Sequence, residues 1–217
     1  MENSLNKKIA LHGEIAEIKR IYSAIQASLL KKNPACLVIT SAVPREGKTT
    51  VVAGLAAYAA RQNRERVLAM DLNWYSPALH KSFGLDLTFK FDALKSGASL
   101  LDFVKSSGLE NLDILPSVQS SEGSEVSFGE IDALAVFMIK KARENYSFVV
   151  VDTSPMFPPN RRMIDPAIIS KEADGVALVA LANATPREDI KRATKTLETA
   201  GANIIGVIAN QWQNPMA

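Results

Sequence analysis
Short apolar runs punctuate the chain at 37–41, 67–71, 112–115, 148–152, 175–181 and 204–210, and polar or amphipathic stretches separate them. The run Phe148-Val149-Val150-Val151-Asp152 is almost wholly apolar and rich in β-branched residues, as expected of a strand buried on both faces. Between the runs, apolar residues return at helical spacing. Over 14–30 the residues Ile15, Ile18, Ile21, Tyr22, Ile25 and Leu29 form one stripe, with Glu14, Glu17, Lys19 and Arg20 largely on the other side. Lys31-Lys32-Asn33-Pro34 closes that helix. Further helices are expected to about residue 63 from the Ala-rich segment 51–60, and over 131–144, 165–171 and 187–200. Shorter ones are expected at 77–83, 91–94 and 99–105, with a surface loop at 118–127. Residues 1–13 read as a polar lead-in, and 14–217 as the domain. Strands alternating with helices of these lengths predict a doubly wound, mostly parallel α/β sheet in a single domain.

Composition narrows the picture without redirecting it. A length of 217 residues with 47% hydrophobic content suits one globular domain with a large core. The formal net charge of +2, with acids and bases interspersed, argues neither for nor against a polyanionic partner; no basic patch is read along the chain, and no nucleic acid is expected. The single Cys36 excludes a disulfide framework, and His12 and His80 have no metal-ligand spacing. No leader and no apolar run of membrane-spanning length is read, so the expected location is the cytoplasm.

The candidate chemistry lies after the first apolar run. Leu37-Val38-Ile39-Thr40-Ser41-Ala42-Val43-Pro44-Arg45-Glu46-Gly47-Lys48-Thr49-Thr50 passes from strand to turn to helix. That order makes a phosphate-cradling loop, in which consecutive backbone N–H groups and the free N–H groups of the first helical turn face one anion. The candidate cradle is Pro44, Arg45, Glu46, Gly47, Lys48, Thr49 and Thr50. Lys48 is expected to reach the β- and γ-phosphates, and the Thr49 hydroxyl to ligate Mg²⁺. Ala42 stands where the general P-loop pattern has its first Gly. Asp71 and Asp152 each end an apolar run, hence lie at the carboxyl edge of a parallel sheet, where ligands bind. Beside Lys48 and Thr49, Asp152 would hold the metal ion, as the second carboxylate of P-loop ATPases does.

These motifs resemble the bacterial tyrosine kinases of capsule and exopolysaccharide export, within the ParA/MinD ATPase superfamily. The likeness runs from about Glu17 to Asn210. The stretch 39–49 resembles that family's Walker A, commonly Ser-x-x-Pro-Gly-Glu-Gly-Lys-Thr, so Ala42 is ordinary there. The stretch 67–80 is similar to its second acidic motif, Asp-x-Asp-x-Arg, and Asp152-Thr153-Ser154-Pro155 to its Walker B end. The resemblance implies a P-loop NTPase fold, ATP and Mg²⁺ as cofactors, and Lys48, Asp71 and Asp152 as catalytic residues. It makes Asp71 the base for a tyrosine hydroxyl, adds Asp71 to Thr49 and Asp152 around the metal, and makes Asn210 a partner of the adenine. It also implies an activating partner, a membrane-embedded polysaccharide chain-length regulator, which would hold the protein at the inner face of the cell membrane. A homo-oligomer through the helix at 14–30 is implied as well.

Four departures bear on activity. Asn73 replaces the second Asp of the acidic motif and Tyr75 its Arg; Ser23 stands where the family's Glu-x-x-Arg-x-x-Arg has its last Arg; no Tyr follows Tyr146. Asn73 brings no negative charge and cannot act as a base. Retained Mg·ATP binding with weakened phosphoryl transfer is the expectation. A ParA/MinD-type ATPase switch would carry an early loop Lys, where Val43 stands. A nucleotide-free scaffold would not be expected to keep Gly47-Lys48-Thr49 and Asp152.

Overall fold
The computed structural model describes residues 16–62, 66–74, 76–87, 89, 99–118, 128–158 and 163–211. Its strands are β1 (Ala35–Ser41), β2 (Val67–Asp71), β3 (Lys105–Ser106), β4 (Leu112–Leu115), β5 (Phe148–Asp152), β6 (Gly175–Leu181) and β7 (Ile204–Asn210). They form one sheet in the order β3-β4-β2-β5-β1-β6-β7, parallel throughout except for β3, which runs antiparallel to β4. The helices are α1 (Ala16–Ser28), α2 (Lys48–Gln62), α3 (Leu79–Ser82), α4 (Phe128–Arg143), α5 (Pro166–Ser170) and α6 (Arg187–Thr199). This is the doubly wound sheet that the alternating pattern predicts.

Side chains of the central strands alternate between two apolar cores, so both faces of these strands are covered. Leu37, Ile39, Val150 and Val179 join α1, α2 and α3 on one face. Val38, Val149, Val151 and Leu178 join α4, α5 and α6 on the other. The central strands β1 and β5 are buried at every position, which explains why their sequences show no polar alternation. From β1 the chain crosses β5 to reach β2, and from β5 it crosses β1 in the opposite sense to reach β6. The carboxyl end of β1 is therefore the switch point of the sheet, where a crevice opens for a ligand.

Helix α2 packs against both the sheet and α1, and its sequence answers to both neighbours. Ten of its positions are buried, most of them small: Ala53, Gly54, Ala56, Ala57, Ala59 and Ala60. A Cβ on Gly54 would stand 3.1 Å from Ile18 Cδ1 of α1, so the helices meet closely there. Tyr22 of α1 packs edge-on against Tyr58 of α2 with ring centroids 5.2 Å apart, a favourable aromatic geometry. At the amino end of β1, Asp174 receives the Cys36 N–H and pairs with Lys32 and Arg143. Cys36 itself is enclosed, and burial pushes its thiol up to about 12, so it is a packing residue.

The expected short helix at 99–105 is replaced by other structure. Ser99 and Asp102 form a reciprocal capping box around one 3-10 turn at Leu100–Phe103, and the chain then extends as β3. The short segments at 77–83 and 165–171 contract to α3 and α5, while 131–144 begins earlier, as α4. The lead-in 1–13, the helix expected at 91–94, the loop beyond Val118 and Tyr75 lie outside the described residues. No helix among the described residues is long and apolar enough to cross a membrane.

Candidate functional site
Strand β1 delivers Ser41 to the switch point, and α2 begins seven residues later with Lys48. The intervening turn needs two left-handed residues, Arg45 at φ 66° and Gly47 at φ 89°. Gly47 is suited to that conformation, and it also lacks the Cβ that would come within 2.2 Å of Asn210 Nδ2. Arg45 is not, since a left-handed conformation costs an L-residue about 1 kcal/mol. Arg45→Gly is therefore expected to raise the stability of the free protein by about 1 kcal/mol, read as a higher urea midpoint. A midpoint at or below wild type would contradict that strain.

Backbone and side chains together set the loop. The Ser41 hydroxyl donates to Val43 O at 2.7 Å and accepts the Lys48 ammonium at 2.8 Å. Lys48 is 6% exposed, and burial lowers its proton affinity, opposed by the charges of Asp152 and Glu46. Pro44, Arg45 and Thr50 are exposed, while Glu46 is buried. The segment after β5 is laced to the loop: Met156 N–H donates to Ser41 O at 2.8 Å, and Phe157 N–H to Ala42 O at 3.0 Å. Arg192 of α6 stacks its guanidinium 3.6 Å from the centroid of the Phe157 ring.

The two acids meet as expected from their places in the sequence. Asp71 and Asp152 are register partners at the ends of adjacent parallel strands, and both are buried. The Thr49 hydroxyl donates to Asp152 Oδ2 at 2.6 Å, which ties the start of α2 to the end of β5. Asp71 accepts three backbone N–H groups, from Asn73 at 3.0 Å, Ala78 at 3.2 Å and Leu79 at 3.1 Å. Burial, and then the neighbouring Asp152, push Asp71 up to about 8. Burial pushes Asp152 up to about 6, against the pull of the Thr49 hydroxyl and the Lys48 ammonium. Asp152 Oδ1 is buried with no hydrogen-bond partner. A buried carboxylate oxygen left open beside a second carboxylate and a threonine hydroxyl fits a hard divalent cation, which takes oxygen ligands.

Asn210 and Asn73 behave in ways their sequence positions did not disclose. Asn210 closes over the loop and donates from Nδ2 to Glu46 O at 3.0 Å. Asn73 donates from Nδ2 to Ser76 O at 3.0 Å, which fixes its amide orientation and leaves Oδ1 buried without a partner. Two further residues were not anticipated. Ser41 holds Lys48, and Thr185 donates its hydroxyl to the Glu46 carboxylate across 139 positions of sequence. The motif spacing covers only residues near the loop, so it carried no signal for Thr185.

Comparison with known proteins agrees with this fold. Residues 37–217 match the CobQ/CobB/MinD/ParA nucleotide binding domain. The chain is 29% identical over 197 residues to tyrosine-protein kinase YwqD of Bacillus subtilis, covering 89% of this chain and 79% of that protein. In fold it is similar to the kinase domain of Escherichia coli tyrosine kinase ETK, with a TM-score of 0.76 at 23% identity over 92% of this chain and 77% of that one. It is similar also to the septum site-determining protein MinD of Pyrococcus horikoshii complexed with Mg-ADP, with a TM-score of 0.65 at 23% identity over 82% and 71%. With 37–217 accounted for by one domain description, the chain belongs to the CobQ/CobB/MinD/ParA nucleotide-binding family.

Proposed function
We propose that this protein binds Mg·ATP at the loop after β1 and is a tyrosine kinase of exopolysaccharide assembly with attenuated phosphoryl transfer. The observation that carries the reading is the open Asp152 Oδ1 in a buried cluster with Asp71, Thr49 and Lys48 nearby. Thr49 and Asp152, with Asp71 beside them, would hold Mg²⁺, which when bound neutralises charge on the phosphates. The chain's own residues do the rest. The turn 45–50 would offer its backbone N–H groups to the anion, and Lys48, which now donates to Ser41, would donate to a phosphoryl oxygen instead. Asp71, once ionised, would take the proton of a tyrosine hydroxyl, and its raised proton affinity favours keeping that proton. Asn73 contributes an oxygen without charge, so less negative potential assists that transfer than a second Asp would provide. Asn210, at the carboxyl end of β7 and against the loop, is the candidate contact for the adenine.

The family likeness supplies the partners in this reading: a membrane-embedded chain-length regulator whose cytoplasmic tail completes the site, and a second copy of the chain through α1. Glu17 and Arg20 stand exposed beside a groove of about 380 Å³ between α1 and β7. Ser23, in place of the family's last Arg, turns its hydroxyl hydrogen back onto Lys19 O at 2.9 Å and presents no cation outward. The location is cytoplasmic, peripheral to the membrane through the regulator.

Transfer of radiolabelled γ-phosphate, with and without a regulator's cytoplasmic tail, tests the assignment. Labelling of tyrosine is expected to be weak for the protein alone and to rise with the tail. Strong labelling without the tail would show that Asn73 costs nothing. Mg·ATP binding with no transfer under either condition would replace the kinase by a nucleotide switch.

A further inference from the structure
The loop buries an acid in a place suited to anions. Glu46 is 2% exposed. Its Oε2 accepts the Val43 N–H at 2.9 Å, three residues back along the same turn, and its Oε1 accepts the Thr185 hydroxyl. Thr185 is itself fixed, because its Oγ1 accepts the Leu181 N–H at 2.9 Å and its own N–H donates to Leu181 O at 2.9 Å. The main chain of Glu46 is held from the other side by Asn210 Nδ2, while Asn210 O accepts the Ala182 N–H at 2.8 Å. One loop residue is thus bound to the ends of both β6 and β7.

A buried carboxylate close to a phosphate site works against an incoming polyanion through charge repulsion, and its desolvation is costly unless its oxygens are hydrogen-bonded. Its presence is accounted for by what it holds. We propose that Glu46 and Thr185 are positioning residues that clamp the phosphate loop in its anion-receiving shape before nucleotide arrives. The Thr185 hydroxyl directs one carboxylate oxygen, the other oxygen then pins Val43, and the turn between Val43 and Glu46 is closed across its mouth. Neither side chain needs to touch the nucleotide for this. The proposal rests on the Mg·ATP reading above, and it adds that the loop's shape is set from the β6 end of the site.

Titration calorimetry with two probes, Mg·ATP and Mg·tripolyphosphate, tests it on the wild type, Thr185→Val, Thr185→Ser and Glu46→Gln. The tripolyphosphate probe reports on the phosphate loop alone. Thr185→Val is expected to weaken both probes by the same factor, about tenfold, the net worth of one buried hydrogen bond. Thr185→Ser keeps the hydroxyl and is expected to stay within about twofold of wild type. Glu46→Gln turns one acceptor into a donor and is expected to weaken both probes together, which keeps the test alive should Thr185→Val fail to fold. Wild-type affinity for both probes in Thr185→Val, or in Glu46→Gln, would overturn the clamp. Loss of Mg·ATP alone in Thr185→Val would overturn it too, by making Thr185 a nucleoside contact. A wild type that binds neither probe would instead remove the Mg·ATP reading on which the clamp stands.

Discussion
Lys48→Met is expected to abolish Mg·ATP binding, with a loss of at least about a hundredfold in affinity, while leaving the fold intact. The magnitude follows from the burial of the ammonium. A charge-assisted hydrogen bond in a desolvated site contributes about 1.5–3 kcal/mol, and Lys48 is to make such contacts with a triphosphate that carries several negative charges. Met retains an unbranched apolar stem and fills irregular space, so the surroundings of this buried side chain, 6% exposed in Lys48, stay packed. The Ser41 hydroxyl keeps its bond to Val43 O, so no buried donor is orphaned by the change. Titration of a fluorescent ATP analogue into both forms measures the effect. Equal affinities would remove Lys48 from the site and, with it, the phosphate-loop assignment.

The second large effect concerns Asp152, and here stability and binding are expected to move in opposite directions. Asp71 and Asp152 are both pushed upward, to about 8 and about 6, by burial and, for Asp71, by its neighbour. A carboxyl whose proton affinity is raised by folding stabilises the fold below the unfolded value, about 4. That stability is lost as pH climbs through the folded values. In metal-free buffer the wild type should therefore weaken steadily between about pH 4 and pH 8, the two carboxyls titrating as a pair. Asp152→Asn keeps an oxygen for the Thr49 hydroxyl and removes the charge. In EDTA at pH 8 it should melt about 2–4 °C above wild type, a gain on the order of 1–2 kcal/mol. At pH 4 the difference should close. The same variant should lose the thermal shift that Mg·ATP gives the wild type. A lower melting point than wild type at pH 8 in EDTA would show that the two acids do not repel each other across β2 and β5.

Much of this site could be read from residue order because its parts lie at strand ends. A run such as Phe148-Val149-Val150-Val151 announces a doubly buried strand, and the Asp that ends it can only lie at the carboxyl edge. The same logic placed Asp71, and register then made the two acids neighbours. What escaped the sequence is the set of contacts made by short polar side chains across loops. Thr185 precedes Pro186 and looks like an ordinary residue ahead of a helix; only the pairing of β6 with β1 brings it to Glu46. Asn210, which the resemblance sets against the adenine, also donates from Nδ2 to the loop's own carbonyl at Glu46. Strand β3 escaped for a different reason, since two residues are too few to display any period.

The enclosure of α2 has a consequence for how such a protein can change. The helix that carries Lys48 and Thr49 touches the sheet along one flank and Ile18 along the other, with alanines and a glycine filling the seam. Added bulk in that seam would lever the first helical turn, and the lysine with it, away from β5. Larger side chains are therefore expected to be borne far less readily along this inner axle than at an exposed helix position such as Ser23, and any change in how the lysine is presented has to enter from the loops inward.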